Sequence, residues 1–334
     1  MKRSSFLAMA LGAGLALAAG QALAADLVVY DSLDFAASAV KAFTAKTGIK
    51  VDLVEPGSTG ETLGKIAAEG DHPQFDVVWL DGSAIMERML EKKVLQPIPA
   101  DLYAGAKYTD LGKSLIPADH SFLPTTVSTT AIEVDTKKVP AGQYPKSWAD
   151  MAKFAGSVAA KDPNLSGPAY QWLVGLFQTN GIDSGKALLA KILTNKAISG
   201  FASGGRVDKE LLTGLGKVAI NQDSGIFAKR AKGEPLMAIY PTEGSVALPS
   251  AIGVSAATQR MDAVRKFIAF VTSAEGQAAM SDGTDTDFFF IPIIDGVKAK
   301  PGRETNIKFV VLDNKAASAH ETEWKRWYKR NFVP

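Results

Sequence analysis

The residues best suited to binding chemistry in this 334-residue chain lie in the stretch 162–176, DPNLSGPAYQWLVGL. Turn-forming residues fill its first half, and an apolar, aromatic run follows. This order predicts a helix with Ser166 as its N-cap and Pro168 in its first turn. A helix N-terminus has unpaired N–H groups and partial positive charge, so it can bind a phosphate or a carboxylate. Gly167 would let the anion approach the backbone, whereas plain helix capping without a ligand is the alternative.

Other loops have the same chemistry. Serine, threonine and glycine precede predicted helices or follow a predicted strand at 58–60, 203–205 and 242–245. Such neutral donors suit an anion that is held by hydrogen bonds rather than by countercharges. Because these are also common turn residues, no loop alone indicates a site. Together they favour a ligand cleft, to which the first loop would contribute Ser58, Thr59 and Gly60.

Tyrosine and carboxylate side chains end several predicted strands. Tyr30 and Asp31 end the first strand, and Asp81 ends the third. Tyr240 ends the apolar segment LMAIY, and Glu243 follows in the next loop. Ligands of open α/β sheets bind outside the carboxyl ends of strands, so these side chains are candidates for ligand contacts. The alternative is that the tyrosines pack in the core and the carboxylates cap helices.

Signatures of catalysis are missing from the sequence. It has no G-x-S-x-G elbow, no P-loop and no H-E-x-x-H motif. Its three histidines are far apart, and it has no cysteine for a thiolate ligand or nucleophile. We therefore predict no catalytic residue, no metal site and no cofactor.

Composition and the N-terminal segment indicate an exported globular protein. Hydrophobic residues make up 46% and charged residues 22% of the chain, and its length predicts about two domains. Residues 1–24 combine Lys2 and Arg3, an apolar run and a final Ala-Leu-Ala, as in a cleavable signal peptide. Removal of this segment leaves 35 basic and 35 acidic side chains, which gives no attraction to nucleic acid. We expect a periplasmic location.

Apolar strands and helix-like segments alternate along the chain. Three strand–helix pairs are predicted between residues 26 and 92, which is typical of an α/β domain with a mainly parallel sheet. A second such pattern begins near residue 147. The segments 123–135 and 240–252 are β-rich, so we expect the chain to cross between two domains there.

Five segments of the chain form a pattern that can be compared with known families: VVYDSLDFAASAVKAFTAKTGIKVDLVEPGSTGETLGKI, FDVVWL, KDPNLSGPAYQWL, KVAINQDSG and YPTEGSVALPSAIGV. On these segments the chain resembles the substrate-binding proteins of ABC importers, in the branch that includes ferric-iron, phosphonate and sugar-phosphate binders. The resemblance implies the two-lobed type II periplasmic binding protein fold, with a mainly parallel sheet flanked by helices in each lobe and a two-stranded hinge. Residues 25–125 and 250–334 would form lobe 1, and residues 126–249 would form lobe 2. A monomer that delivers its solute to an inner-membrane permease is implied.

The resemblance also suggests the ligand. Iron-binding members typically have adjacent tyrosines after the segment KVAINQDSGIFAKRA, and this sequence has no Tyr-Tyr pair. SGPAY and YPTEGS instead look like the anion-binding segments of the phosphate and phosphonate binders, which implies roles for Ser166, Gly167 and Ala169. We expect a solute such as 2-aminoethylphosphonate or a sugar phosphate, with Tyr30, Asp31 and Asp81 at its other end. Ferric iron, a polyamine and a secreted phosphoesterase are the alternatives.

Overall fold

The computed structural model describes residues 25–334, and the expected signal peptide lies outside this range. The strands are β1 (Leu27–Asp31), β2 (Val51–Val54), β3 (Val77–Asp81), β4 (Leu95–Gln96), β5 (Leu123–Asp135), β6 (Val158–Ala160), β7 (Val218–Gln222), β8 (Leu236–Ile239), β9 (Ser245–Ser255), β10 (Ile291–Pro292) and β11 (Phe309–Val310). The α-helices are α1 (Ala36–Thr47), α2 (Thr59–Glu69), α3 (Ser83–Glu91), α4 (Asp110–Ser114), α5 (Gly167–Asn180), α6 (Ile182–Ile192), α7 (Gly204–Thr213), α8 (Asp223–Ala231), α9 (Met261–Val271), α10 (Ala274–Met280) and α11 (Asn314–Phe332).

The first lobe begins with the alternating strands and helices that the sequence predicts. β1 pairs in parallel with β2 on one side and with β3 on the other. Helix α1 ends at Gly48, which adopts a left-handed φ of 75° and donates its N–H to the Thr44 carbonyl. Phe35, Phe43 and Trp79 are fully buried between this sheet and the helices that cover it, together with Phe267 of α9. The parallel arrangement brings the carboxyl ends of β1 and β3 to one edge of the sheet.

Two long strands connect the lobes. β5 pairs antiparallel with β9 through residues 123–129 and then with β7 and β8 through residues 130–135. β9 pairs with β3 of the first lobe at residues 250–254. Every residue of both strands is buried. The two crossings predicted from the β-rich segments are therefore a single antiparallel pair, which is the expected two-stranded hinge.

The second lobe is built around β6 and β7, which are parallel; α7 and α8 pack against these strands, and α5 and α6 share a hydrophobic core with them. Trp172 and Phe177 of α5 lie in its core. The C-terminal helix α11 inserts Trp324 and Tyr328 into the same core, although the boundaries drawn from the sequence place residues 250–334 in lobe 1. A helix joins whichever core accepts its apolar face, and the sequence pattern of α11 does not identify that core.

Among residues 25–334, the structure contains no helix that is both long enough and apolar enough to cross a bilayer.

Candidate ligand cleft

A cleft of about 240 Å³ lies between the lobes. Its wall is formed where strands end and helices begin: after β1, β3, β6 and β7, and at the first residues of α2, α5, α7 and α8. This is the edge where open α/β sheets bind ligands. The structure brings five of the candidate residues to this wall, namely Ser58, Thr59, Asp81, Ser166 and Gly167.

The start of α5 has the geometry that the sequence predicts. Ser166 is extended, and its side-chain oxygen accepts a hydrogen bond from the Ala169 N–H at 3.3 Å. The Leu165 and Ser166 N–H groups both donate to the Asp162 carbonyl, which closes the turn before the helix. A side chain on Gly167 would place its Cβ 2.7 Å from the Asp81 carbonyl oxygen. Only glycine therefore lets this helix start approach the end of β3 in the other lobe.

The start of α2 faces α5 across the cleft. Ser58 and Glu61 form a capping box, in which the Ser58 N–H donates to Glu61 Oε2 at 2.7 Å. The hydrogen bonds from Ser58 lower the pKa of Glu61. Thr59 Oγ1 lies 3.2 Å from Ser32 Oγ, so two hydroxyls are adjacent at this wall. A Cβ on Gly60 would lie 3.2 Å from the Leu165 carbonyl oxygen, which shows how closely the two loops approach.

Three carboxyl groups face the cleft from the first-lobe side. Asp81 accepts hydrogen bonds from Ser250 Oγ at 2.7 Å and from Gln222 Nε2 at 3.0 Å, and burial raises its pKa. Asp34 and Asp287 each accept the other's backbone N–H, at 3.3 and 2.9 Å respectively. Burial and the nearby Asp81 and Asp34 carboxyls raise the pKa of Asp287 well above its usual value. The wall therefore offers acceptors to a hydroxyl or an ammonium group.

A second group of buried polar side chains lies on the second-lobe side. Asn221 Nδ2 donates to Asp208 Oδ1 at 2.8 Å and to Glu133 Oε2 at 3.0 Å. Asp208 and Asn221 line the cleft, whereas Glu133 is fully buried beside them. Burial raises the pKa of Asp208, and burial together with Asp208 raises the pKa of Glu133.

Lys161 is a lining residue that the sequence analysis did not select. It follows β6 directly, and 7% of its surface is exposed. Burial lowers its pKa, and the surrounding carboxyl groups, of which Asp81 acts most strongly, oppose this effect. The available signal was a lysine at the carboxyl end of the apolar strand SVAA, directly before the turn that starts α5.

Three candidates from the strand ends and α5 are engaged elsewhere. Tyr30 donates its hydroxyl hydrogen to Glu69 Oε1 at 2.7 Å and packs against Phe75, in an apolar cluster of the first lobe. Asp31 is fully buried and accepts the Leu33 N–H at 2.9 Å. Ala169 is a buried residue of α5 whose N–H already donates to Ser166.

The other candidates also lie outside the cleft lining. Tyr240 donates to Asp223 Oδ2 at 3.0 Å and accepts a hydrogen bond from Arg303. Glu243 accepts the Trp148 N–H at 3.0 Å, in the second lobe. Gly60 contacts the lobe opposite but does not line the cavity. The alternation of side chains along a strand predicts which residues share a face of the sheet, but it does not predict which face borders a ligand.

Chemically, the cleft is equipped for recognition. Helix N-termini and hydroxyls supply hydrogen-bond donors, the carboxyls supply acceptors, and Lys161 supplies a positive charge. No group of three or more histidine, aspartate or glutamate side chains within residues 25–334 is arranged to hold a metal ion.

Comparison with known proteins identifies the family. The family model described as "Bacterial extracellular solute-binding protein" matches residues 38–309. The chain is 24% identical to the major ferric iron-binding protein of Neisseria meningitidis serogroup B over 277 residues, which cover 77% of this chain and 78% of the relative. It is also 24% identical to a putative 2-aminoethylphosphonate-binding periplasmic protein of Salmonella typhimurium over 249 residues, covering 72% and 70% of the two chains.

Solved structures share the fold. The periplasmic binding protein AfuA from Actinobacillus pleuropneumoniae, with fructose-6-phosphate bound, superimposes with a TM-score of 0.80 at 20% identity, covering 92% of this chain and 98% of that one. Iron-bound HitA from Pseudomonas aeruginosa superimposes with a TM-score of 0.76 at 19% identity, covering 90% and 98%. The expected type II periplasmic binding protein fold is thus confirmed. The chain belongs to the bacterial extracellular solute-binding protein family, the periplasmic binding components of ABC importers.

Proposed function

We propose that this protein captures a small organic solute bearing a phosphate or phosphonate group and delivers it to an inner-membrane permease. The observation that carries the proposal is the convergence of the starts of α2, α5 and α7 on one cleft between the lobes. Each start presents N–H donors and partial positive charge to the same space. Capture proceeds by lobe closure, and no bond is made or broken.

The remainder of the solute would face Asp81, Asp34 and Asp287. These carboxyls can accept hydrogen bonds from an ammonium group, as in 2-aminoethylphosphonate, or from hydroxyls, as in a sugar phosphate. Specificity would follow because the wrong solute leaves the buried Asp81 carboxyl, and the donors opposite, without partners. The named ligands of one relative and of one structural neighbour support this chemical class.

Ferric iron is supported by other relatives and neighbours, but the lining of this cleft does not favour it. Its described lining residues include no tyrosine, and the Tyr240 hydroxyl is bound by Asp223 and Arg303. Phenolate oxygens are hard anionic ligands that suit a trivalent ion. A polyamine is the stronger alternative, because four carboxyls line the cleft: Asp34, Asp81, Asp208 and Asp287.

Thermal unfolding of the purified, refolded protein tests the proposal. The panel comprises 2-aminoethylphosphonate, hexose phosphates, inorganic phosphate, ferric citrate and polyamines. A ligand present at 100 times its dissociation constant stabilises the folded state by about 2.7 kcal/mol, which shifts the midpoint measurably. A shift with phosphorylated or phosphonate solutes is expected. A shift with ferric citrate alone, or with polyamines alone, would refute the proposed solute class.

A paired substitution tests the helix start itself. Ser166→Ala with Gly167→Val removes a hydroxyl and fills the close approach between α5 and Asp81, so affinity should fall roughly 100-fold. Isothermal titration calorimetry with the solute found in the panel measures this change. Ser147→Ala is the control, because it removes a hydroxyl that caps the Asp150 N–H in the same lobe without lining the cleft. Unchanged affinity in the paired variant would place the anion elsewhere.

A further inference from the structure

The carboxyls of Asp81, Asp208, Asp287 and Glu133 act on the charge of Lys161, but within residues 25–334 none of them forms an ion pair with it. No hydrogen bond or ion pair within residues 25–334 involves its ammonium group, although more than nine-tenths of the residue is buried and it lines the cleft. Burying a charged group without a partner is costly, so buried lysines are usually paired. The Lys161 Nζ is not among the fully enclosed polar atoms without a hydrogen bond, so it is reachable from the cleft, where an anionic ligand can supply the close partner that the protein does not.

The start of α7 lies beside Lys161. The Phe201 N–H donates to the Ala160 carbonyl at 3.2 Å, and the Asp162 N–H donates to the Phe201 carbonyl at 2.8 Å. Lys161 and Phe201 thus form a parallel bridge, which places Ser203 and the first turn of α7 next to Lys161.

This helix start is open toward the cleft. Ser203 is the N-cap residue of α7, yet its hydroxyl makes no capping hydrogen bond. Gly204 lines the cleft, and a Cβ there would lie 2.9 Å from Asn221 Oδ1, so a larger residue would disturb this wall. Gly205 also lines the cleft, and a Cβ there would meet no atom within 4 Å. Within residues 25–334 the Gly204 and Gly205 N–H groups make no hydrogen bond, so the start of the ten-residue helix α7 can donate to a ligand.

The charges around the cleft limit where an anion can lie. Carboxyls line the cleft on the first-lobe side, at Asp34, Asp81 and Asp287, and on the second-lobe side at Asp208. Lys161 is the one lysine or arginine among the described lining residues. An anionic group therefore binds most favourably where it contacts this ammonium and the neighbouring helix starts.

We propose that Lys161, Ser203 and the first turn of α7 form the anion subsite, and that they bind the phosphate or phosphonate group of the solute. This inference rests on the proposed function and assigns the anion to one lobe. Both Lys161 and α7 belong to the second lobe, so the anion binds there before closure. Ser58 and Thr59 of the first lobe then reach it when the lobes close.

The test measures the dissociation constants of Lys161→Met and Lys161→Arg by isothermal titration calorimetry. The probes are 2-aminoethylphosphonate, fructose 6-phosphate and inorganic phosphate. Loss of the ammonium that contacts the bound anion should weaken binding on the order of 100-fold for every probe that the wild type binds. Lys161→Arg keeps the charge and should retain more affinity than Lys161→Met. Lys153→Met is the matched control, because Lys153 is an exposed lysine of the same lobe that pairs with Asp150.

The outcomes separate the two proposals. If the wild type binds a phosphorylated or phosphonate probe and Lys161→Met binds it equally well, the subsite is wrong while the proposed function stands. If the wild type binds none of the probes, the proposed function fails and the subsite with it. Ser203→Ala is a second, milder variant that should weaken binding roughly 10-fold through loss of one hydroxyl, and unchanged affinity in this variant would exclude Ser203 from the subsite.

Discussion

Arg303 provides the sharpest prediction about stability. Its guanidinium donates from Nη2 to Asp223 Oδ2 at 2.6 Å and from Nη1 to the Tyr240 hydroxyl at 3.0 Å, and it lies 4.7 Å from the centre of the Phe227 ring. Both side chains of the ion pair are completely buried. Arg303 also donates from Nε to the Phe289 carbonyl at 2.6 Å. The Arg303–Asp223 ion pair therefore holds the segment that follows β10 against α8 of the second lobe.

Arg303→Met removes the positive charge and leaves the Asp223 carboxyl buried. That carboxyl keeps hydrogen bonds from the Thr129 N–H at 3.0 Å and from the Tyr240 hydroxyl at 3.0 Å, but it loses its countercharge. Removing one member of a buried ion pair typically destabilises a protein by about 3–5 kcal/mol. We expect a loss of this size. The double variant with Asp223→Asn should lose less than the sum of the two single variants, because the isolated buried charge is then absent.

Equilibrium urea unfolding, followed by tryptophan fluorescence, measures these differences. Lys232→Met is the control, because the Lys232–Asp285 pair has side chains that are 48% and 67% exposed and should contribute about 1 kcal/mol or less. A loss below about 1 kcal/mol for Arg303→Met, or strict additivity in the double variant, would refute the assignment of this pair as a buried electrostatic contact.

Two further predictions concern carboxyl groups. Asp81→Asn should weaken 2-aminoethylphosphonate binding on the order of 10-fold while leaving a sugar phosphate almost unaffected, because only an ammonium needs the negative charge. Titration of both solutes checks this, and equal losses would contradict a charge-specific role. Burial raises the pKa of Asp31 from 3.8 to about 7, so the folded state holds this proton more tightly than the unfolded state does. Its effect on stability is most favourable below about pH 4 and is lost as the pH rises through 7. Asp31→Asn, which keeps an acceptor for the Leu33 N–H, should therefore gain stability relative to the wild type between pH 5 and pH 8, by up to about 4 kcal/mol. Urea unfolding at the two pH values measures the gain, with exposed Asp52→Asn as the control, and a pH-independent difference would contradict the prediction.

Local patterns allowed much of the fold to be predicted from the sequence. Apolar strands alternate with amphipathic helices, and signals such as Gly48 and Ser166 mark helix ends through backbone geometry that depends on nearby residues alone. The two β-rich segments correspond to β5 and β9. Both strands are completely buried, and accordingly most of their residues are uncharged. Helix α11 contacts both lobes: Glu321 pairs with Arg88 of α3, and Trp324 packs in the second-lobe core. The sequence did not indicate these contacts, because an apolar helix face fits any core of suitable shape.

At the cleft, some residues could be predicted from the sequence and others could not. Ser58, Thr59, Ser166 and Gly167 were found because they start helices, and a helix start in an α/β fold already lies at the binding edge of the sheet. Tyr30, Tyr240 and Glu243 were selected because they end predicted strands or follow one, but their side chains make other contacts: with Glu69, Asp223 and the Trp148 N–H. Side-chain direction at a strand end depends on neighbours that are distant in sequence.

The sequence by itself determined the order of strands and helices and the helix starts that carry binding donors, because each depends on short-range patterns, and its family resemblance indicated the class of protein. Only the tertiary structure decided which charges share the cleft. Lys161, Asp81 and Asp287 are separated by 80 residues or more along the chain, yet all three line the same cleft. Their burial and mutual interaction, which set their pKa values and their value to a ligand, exist only once the chain has folded.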